Sequence, residues 1–445
     1  MLHSTSSPSP SVAVIRTAPG RAAAAAALLL PLLLTACVAT PPRPAGEPPA
    51  VELGPVIRLL EVPTSSERVR ALIDDAGLAH VLVASPGDRT LRHLVVDAAG
   101  AIPLAEVVRS DVKPESLDAA FDAAGRLHVL AGTQHLVREP TGEWAEAATP
   151  WAAAGLEAGT ARFVAGGAPG APLLYAFDVR GKALGAPARW DLYGIGGYGG
   201  GIIWPWRTRG SRLAVVAEDG GRYDAWSVVD LDDNEDVADW SVVASPDGRV
   251  HVVYDAQRSV LALQSLARYA CIDPAAADDA SRWREIAGRR VRSVDGMDMP
   301  VAPEQPGVGL GAALGFSPAT HELLLVRPHD GGRVLRDGAW GPVALLPLEL
   351  AFDPRVVPRA AGGFDVVVIG SRTESPSGKE SPVFYLQFRD GRWSAPVEVG
   401  GASVDSFFGS VWDAVKIASD GEERVFVTWP VRGGIEGRWV RVRER

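Results

Sequence analysis

With two cysteines in 445 residues, the chain cannot build a disulfide scaffold or a multi-cysteine zinc site. An excess of positive charge is missing as well. Lys and Arg number 44 against 54 Asp and Glu, for a formal charge of -10. A nucleic-acid binder would carry a basic face, so nucleic acid is excluded as a partner. Beyond residue 34 no apolar run approaches the eighteen residues that a membrane-spanning helix needs. What the chain has in quantity is glycine (48), proline (35) and apolar side chains (47%). That content is too apolar for disorder, and so much glycine and proline suits many short strands joined by turns rather than long helices.

Residues 1–21 hold Arg16 and Arg21 and no acid, and Ala22–Leu34 then reads AAAAAALLLPLLL. This is the layout of a secretory signal: a positive region, a short apolar region, then small residues at the cut. Thirteen residues make a helix of roughly 20 Å, short of a hydrocarbon core of about 30 Å. Leu34-Thr35-Ala36-Cys37 resembles the bacterial lipobox. The resemblance implies a signal peptide over 1–36, lipidation of Cys37, and a membrane partner reached through the acyl chains. Val38 stands where an Asp would favour inner-membrane retention, so the resemblance implies a cell-envelope protein at the outer membrane. Removing 1–36 leaves a charge of -12. Residues 37–54, with Pro41, Pro42, Pro44, Pro48 and Pro49, read as an extended tether.

From residue 55 to 445 the sequence repeats itself. RALIDDAGLAHVLVASP (70–86), LDAAFDAAGRLHVLAGT (117–133) and DWSVVASPDGRVHVVYD (239–255) each give a short apolar strand, a turn with Asp and Gly, and a second strand with His then Val. HLVREPTGEWAEA (135–147), RVLRDGAWGPVAL (333–345) and YLQFRDGRWSAPVEV (385–399) read as a following hairpin with a Trp at the start of its outer strand. Units of four short antiparallel strands, recurring every 40–50 residues or so, resemble the β-propeller superfamily. Turn signals near Asp75/Gly77, Asp122/Gly125, Gly166/Gly170, Gly210, Asp247/Gly248, Pro318/His321, Gly362/Gly363 and Asp420/Gly421 predict an all-β propeller of eight four-stranded blades, or seven if the degenerate third and fourth signals are one. The last unit offers three strands, so PVIRLLEV (55–62) is expected to supply a fourth and close the ring.

Among residues that carry chemistry, Trp144, Trp190, Trp340 and Trp393 recur at equivalent places and are expected to wedge between neighbouring sheets. His80, His128 and His251 likewise hold one repeated position, which favours a structural role over a metal ring. Asp230, Asp232, Asn234 and Asp236 place oxygens at alternate positions, as a calcium loop does. Glu235 replaces that pattern's glycine and Ala238 its last aspartate. Calcium is the one cofactor this pattern offers, against a solvated acidic loop. Cys271, the second cysteine, is expected to be buried and inert.

Two stretches break the repeat: a glycine-aromatic segment with Tyr193, Tyr198, Trp204 and Trp206, and an insertion near 268–307. Long insertions on a rigid scaffold are where recognition resides. The aromatic four are the candidate surface for a protein or glycan partner. No G-x-S-x-G elbow, phosphate loop or H-E-x-x-H pattern appears. The favoured expectation is a membrane-anchored binding or assembly module. The alternative is a carbohydrate-active or other hydrolytic propeller with its site in the central funnel.

Overall fold

The computed structural model describes residues 46–61, 68–112, 116–132, 134–149, 158–166, 173–180, 188–194, 203–209, 211–219, 222–227, 236–257, 266–273, 283–286, 289–293, 297–298, 312–328, 331–348, 350–371, 380–403 and 414–443. All regular elements among them are strands. The signal region, Cys37 and most of the tether lie outside the described residues.

Six sheets are built on meanders of three or four sequence-consecutive antiparallel strands, and we number them as blades in chain order. Blade I comprises Arg68–Ile73, Ala79–Ser85, Thr90–Val96 and Leu104–Ser110. Blade II comprises Leu117–Phe121, Leu127–Ala131, Gln134–Arg138 and Trp144–Ala147. Asp236–Ala244, Val250–Gln257 and Leu266–Ile272 make blade III, with Ala165–Gly166 and Met297–Asp298 at its edges. Blade IV takes Ala313–Ser317, Glu322–Arg327, Gly331–Arg336 and Ala339–Trp340. Blade V takes Leu350–Pro358, Phe364–Ser371 and Ser381–Arg389, flanked by Arg392–Trp393 and Val397–Ala402. Blade VI takes Lys416–Ser419, Arg424–Val431 and Gly434–Val442. Between blades II and III lies a mixed sheet of six strands. In it Arg222–Ser227 and Arg289–Ser293 run parallel, and a separate two-stranded hairpin, Ala188–Gly194 with Ile203–Arg209, stands beside it in the sequence.

The physical logic is that of stacked radial sheets. The second strand of a blade is packed on both faces, so Ala79–Ser85 and Leu127–Ala131 are buried throughout and read as short continuous apolar runs. Each hydrophobic cluster sits between two successive sheets. Ile57, Leu59 and Phe426 of blade VI meet Val69, Val81 and Leu94 of blade I, and Val243 and Tyr269 of blade III meet Phe316 and Leu323 of blade IV. The architecture is a β-propeller with six regular blades.

This corrects the expectation of seven or eight four-stranded blades closed by an N-terminal strand. The third turn signal is not a blade turn at Gly166, where the chain runs as a short strand parallel to the first strand of blade III; Gly170 and Gly210 lie outside the described residues. Strand number also varies, because edge positions recruit short extra strands. Val51–Leu53 and Ile57–Glu61 both pair with Gly434–Val442, which makes blade VI five-stranded, and that pairing stays internal to one sheet. Among the described residues no backbone ladder joins one blade to the next.

Besides the apolar clusters, side chains of the first strands reach across three junctions. Asp118 of blade II accepts the backbone N–H of Phe163 in the mixed sheet at 2.8 Å, and Ser241 of blade III accepts that of Leu314 in blade IV at 3.1 Å. Asp353 of blade V accepts that of Val415, next to blade VI, at 2.8 Å. A first strand whose edge faces no partner strand leaves N–H groups that must be satisfied somewhere. A short acceptor on the preceding sheet satisfies one at each of these three junctions.

Candidate functional site

The histidine repeat resolves into polar ladders that cross the blades. His80 Nε2 lies 3.1 Å from Asp74 Oδ2 in the preceding turn, and its Nδ1 lies 3.0 Å from His93 Nε2 on the third strand. His93 Nδ1 reaches Glu106 Oε1 on the fourth strand at 3.0 Å. Blade II repeats the arrangement with Asp122, His128 and His135, ending on the Ala148 carbonyl. In blade III, Ser245, His251 and Tyr269 take the same places. In blade V the set is Arg359, Asp365 and Tyr385.

One geometry underlies all four. The turn residue stands six positions before the second-strand residue, and the third-strand partner is the one diagonal to it. His80 pairs with Val95 while His93 pairs with Leu82, and Asp365 pairs with Gln387 while Tyr385 pairs with Val367. Diagonal neighbours across antiparallel strands are within reach of ring side chains. In blade VI the position is apolar: Phe426 packs on Trp439 with ring centroids 4.9 Å apart.

Burial dominates the electrostatics of these groups. It lowers His80, His128 and His135 below the ordinary histidine value, and brings His93 and His251 down to about 4. Asp365, enclosed by Arg359, Tyr385 and Gln387, is raised by the same cause, which its arginine and hydrogen bonds oppose. The repeated His80, His128 and His251 stand in three separate blades. Among the described residues no group of three or more His, Cys, Asp or Glu could hold a metal ion.

Three of the four repeated tryptophans do wedge between sheets. Trp144 of blade II donates Nε1 to Glu106 of blade I at 3.1 Å, and Trp393 of blade V donates to the Ala344 carbonyl beside blade IV at 2.8 Å. Trp340 of blade IV meets Tyr269 of blade III edge-on at 5.4 Å. Trp439, outside the repeated set, donates to the Asp97 carbonyl at 2.7 Å and so ties blade VI to blade I. The fourth, Trp190, lies in the two-stranded hairpin.

That hairpin carries three of the four candidate recognition residues. Tyr193 stands directly opposite Trp204, and Asp191 opposite Trp206. With a side-chain period of two, positions 191, 193, 204 and 206 share one face of the hairpin. Its strands, ARWDLYG and IWPWRTR, hold three tryptophans, one tyrosine and three arginines against a single aspartate. Tyr198 lies outside the described residues, as do Asp230, Asp232 and Asn234 of the calcium pattern. Asp236 opens the first strand of blade III, opposite Gln257. The 268–307 stretch begins inside the third strand of blade III and contributes Trp283–Ile286 and Arg289–Ser293 to the mixed sheet.

Cys271 is exposed, against the expectation of burial. It stands opposite His251, one residue before the end of its strand.

His93, His135 and Glu106 escaped the sequence reading, as did the acceptors Asp118, Ser241 and Asp353. A signal for the ladders was there: Asp74, Asp122 and Ser245 each precede a repeated histidine by six residues. The acceptors have none, since each partner lies 45 or more residues away.

No family model and no curated protein matches this chain. Among solved structures it is similar to BBS1N in complex with ARL6DN, at 8% identity over 89% of this chain and 99% of that one, with a TM-score of 0.49. Virginiamycin B lyase from Staphylococcus aureus is similar at 11% identity over 88% and 100%, TM-score 0.46. The fucose-specific lectin of Aleuria aurantia, whose fold is a six-bladed β-propeller, is similar at 15% identity over 77% and 98%, TM-score 0.39. The propeller assigned here rests on the blade topology above and not on these likenesses.

Proposed function

We propose that the protein is an exported β-propeller, lipid-anchored at Cys37 in the cell envelope at the outer membrane, that captures an acidic protein segment on the hairpin Ala188–Gly194/Ile203–Arg209. The observation that carries this reading is the hairpin's composition in its register. Half of its fourteen residues are Trp, Tyr or Arg, the types that dominate binding hot spots, and they replace the apolar alternation that would seat a strand within a blade. A two-stranded hairpin alone is marginal in water, so a covering partner would also order it. Three arginines against one aspartate, on a chain of charge -10, favour an acidic occupant over a basic one. The anchor rests on the lipobox resemblance at 34–37. Several buried acyl chains, at about 0.8 kcal/mol per methylene, hold a soluble domain at a bilayer.

The test uses the full chain processed in a bacterial host. The wild type is expected in the membrane fraction and Cys37→Ser outside it. A fluorescein-labelled Glu/Leu/Phe peptide is expected to bind the wild type and to weaken tenfold or more with Trp204→Ala/Trp206→Ala, while the circular dichroism stays unchanged. Added salt is expected to weaken it further. Equal binding by the double variant, or binding of a neutral oligosaccharide in place of the peptide, overturns the partner assignment. An unchanged fractionation of Cys37→Ser overturns the anchor.

A further inference from the structure

Three hydrogen-bonding contacts in a row cross blade I, and their protons do not add up with neutral rings. The contacts are Asp74 Oδ2 to His80 Nε2 at 3.1 Å, His80 Nδ1 to His93 Nε2 at 3.0 Å, and His93 Nδ1 to Glu106 Oε1 at 3.0 Å. Each requires one proton between its two heavy atoms. A neutral imidazole carries a single N–H and a carboxylate none, so two neutral rings supply two protons for three contacts. Whichever tautomers are chosen, one contact sets lone pair against lone pair. A single added proton fills all three, and a second would set N–H against N–H between the rings.

Blade II has the same count. Asp122 Oδ2 to His128 Nε2 is 3.1 Å, His128 Nδ1 to His135 Nε2 is 3.0 Å, and His135 Nδ1 to the Ala148 carbonyl is 3.2 Å. Both ends are again acceptors only. Blade III is the internal control. His251 lies between Ser245 Oγ and the Tyr269 hydroxyl, each with a proton of its own, so one neutral ring closes that network.

We propose that the two imidazole pairs, His80–His93 and His128–His135, are one-proton sites, each taking up a single proton shared between its rings when the solution turns mildly acidic. The surroundings of each pair set the window. Around the first stand the Asp74 and Glu106 carboxylates, Arg138 of blade II with Nε 3.5 Å from Glu106, the Trp144 indole N–H on that same carboxylate, and Phe121 edge-on to His80 at 5.2 Å. Around the second stand Asp122, Arg126 with Nε 2.7 Å from Asp122, Glu139 at 3.8 Å from Arg126, and the Phe163 and Tyr175 rings. Burial places all four rings below the histidine value of 6.5. Coupled rings lose protons in two steps that belong to the pair. His93, held down to about 4 by burial first and by the charge on His80 among the further causes, marks the second step in blade I.

Between the two steps the blade I ladder is complete from the inner turn to the outer strand, and through Glu106 it reaches blade II. Above and below that window one contact is broken. Because the folded-state values lie below the unfolded one, the fold loses stability as pH falls through the window. Sharing confines the uptake to one proton per pair within the window.

Imidazole nitrogen NMR of the full chain, titrated from pH 8 to 4.5, tests this. The four ladder histidines are assigned by His80→Gln and His128→Gln, each read on the pair it leaves intact. Each pair is expected to take up one proton distributed over both rings, with a nitrogen–nitrogen coupling across the shared bond appearing as it does so. His251 is expected to show no such coupling. Failure of the coupling to appear at any pH, or uptake of a full proton by each ring of a pair within this range, overturns the proposal. The two pairs are independent, so a variant that fails to fold still leaves the wild-type spectrum and the other assignment.

Discussion

Asp118 is the side chain on which three successive sheets meet, and its removal tests whether the ring is held by such contacts. Its Oδ2 accepts the N–H of Phe163, and its Oδ1 lies 2.8 Å from Arg70 Nε of blade I. Asp118 is 5% exposed and Phe163 4%, so water does not replace the lost acceptor in Asp118→Ala. An orphaned buried N–H costs about 1–3 kcal/mol. Arg70 keeps 28% of its side chain in solvent, which limits the loss of that ion pair to about 1 kcal/mol. The alanine variant should therefore lose about 2–4 kcal/mol. Asp118→Asn keeps a carbonyl for Phe163 and gives up only the charge, so about 1 kcal/mol is expected. Urea unfolding followed by far-ultraviolet circular dichroism measures both, with an unchanged dependence on denaturant showing that the midpoint reports stability. Equal losses for Ala and Asn would refute the acceptor role, and a loss below about 0.5 kcal/mol for Ala would refute the idea that these contacts join the sheets.

Two further outcomes follow from packing and burial. Gly400 lies flat on the Trp429 ring, so the Cβ of Gly400→Ala would fall inside that ring's van der Waals surface; a loss of about 2–3 kcal/mol is expected by calorimetry or urea midpoint. His251 titrates near 4 in the fold because burial disfavours its charged form, and near 6.5 when unfolded. Its contribution is present above 6.5 and disappears as pH falls through 4, about 3 kcal/mol in all. The stability lost between pH 7 and pH 4 should therefore shrink by about that amount in His251→Gln, whatever the variant loses at pH 7.

The blade motif was legible where its determinants are local. The Asp-Gly turns and the all-buried second strands are written within some seventeen residues, and so is the recurrence of His80, His128 and His251. Wedging by Trp144, Trp340 and Trp393 was legible too, since a large ring opening an outer strand has only the neighbouring sheet to pack on. Blade number was not. Gly166 carries the same residue type as true blade turns, yet it lies in a short strand at the edge of blade III. In the candidate recognition hairpin the aromatic residues stood out in the sequence, but their register did not. Tyr193 and Trp204 are separated by ten residues, most of them glycine and isoleucine, and only strand pairing set them opposite one another.

By itself, the amino-acid order determined a chain of short antiparallel units with buried middles, because strand alternation and turn conformation are decided by neighbours a few residues apart. The tertiary structure alone decided how many units are regular, which acceptor satisfies which first-strand N–H, and how two histidines on different strands come to share one proton's place. Those outcomes depend on distances between sheets and on diagonal register across strands. The inter-sheet acceptors lie 45 or more residues from their partners. Although His80 and His93 are only thirteen residues apart and His128 and His135 seven, which ring meets which is set by the strand register and not by the spacing.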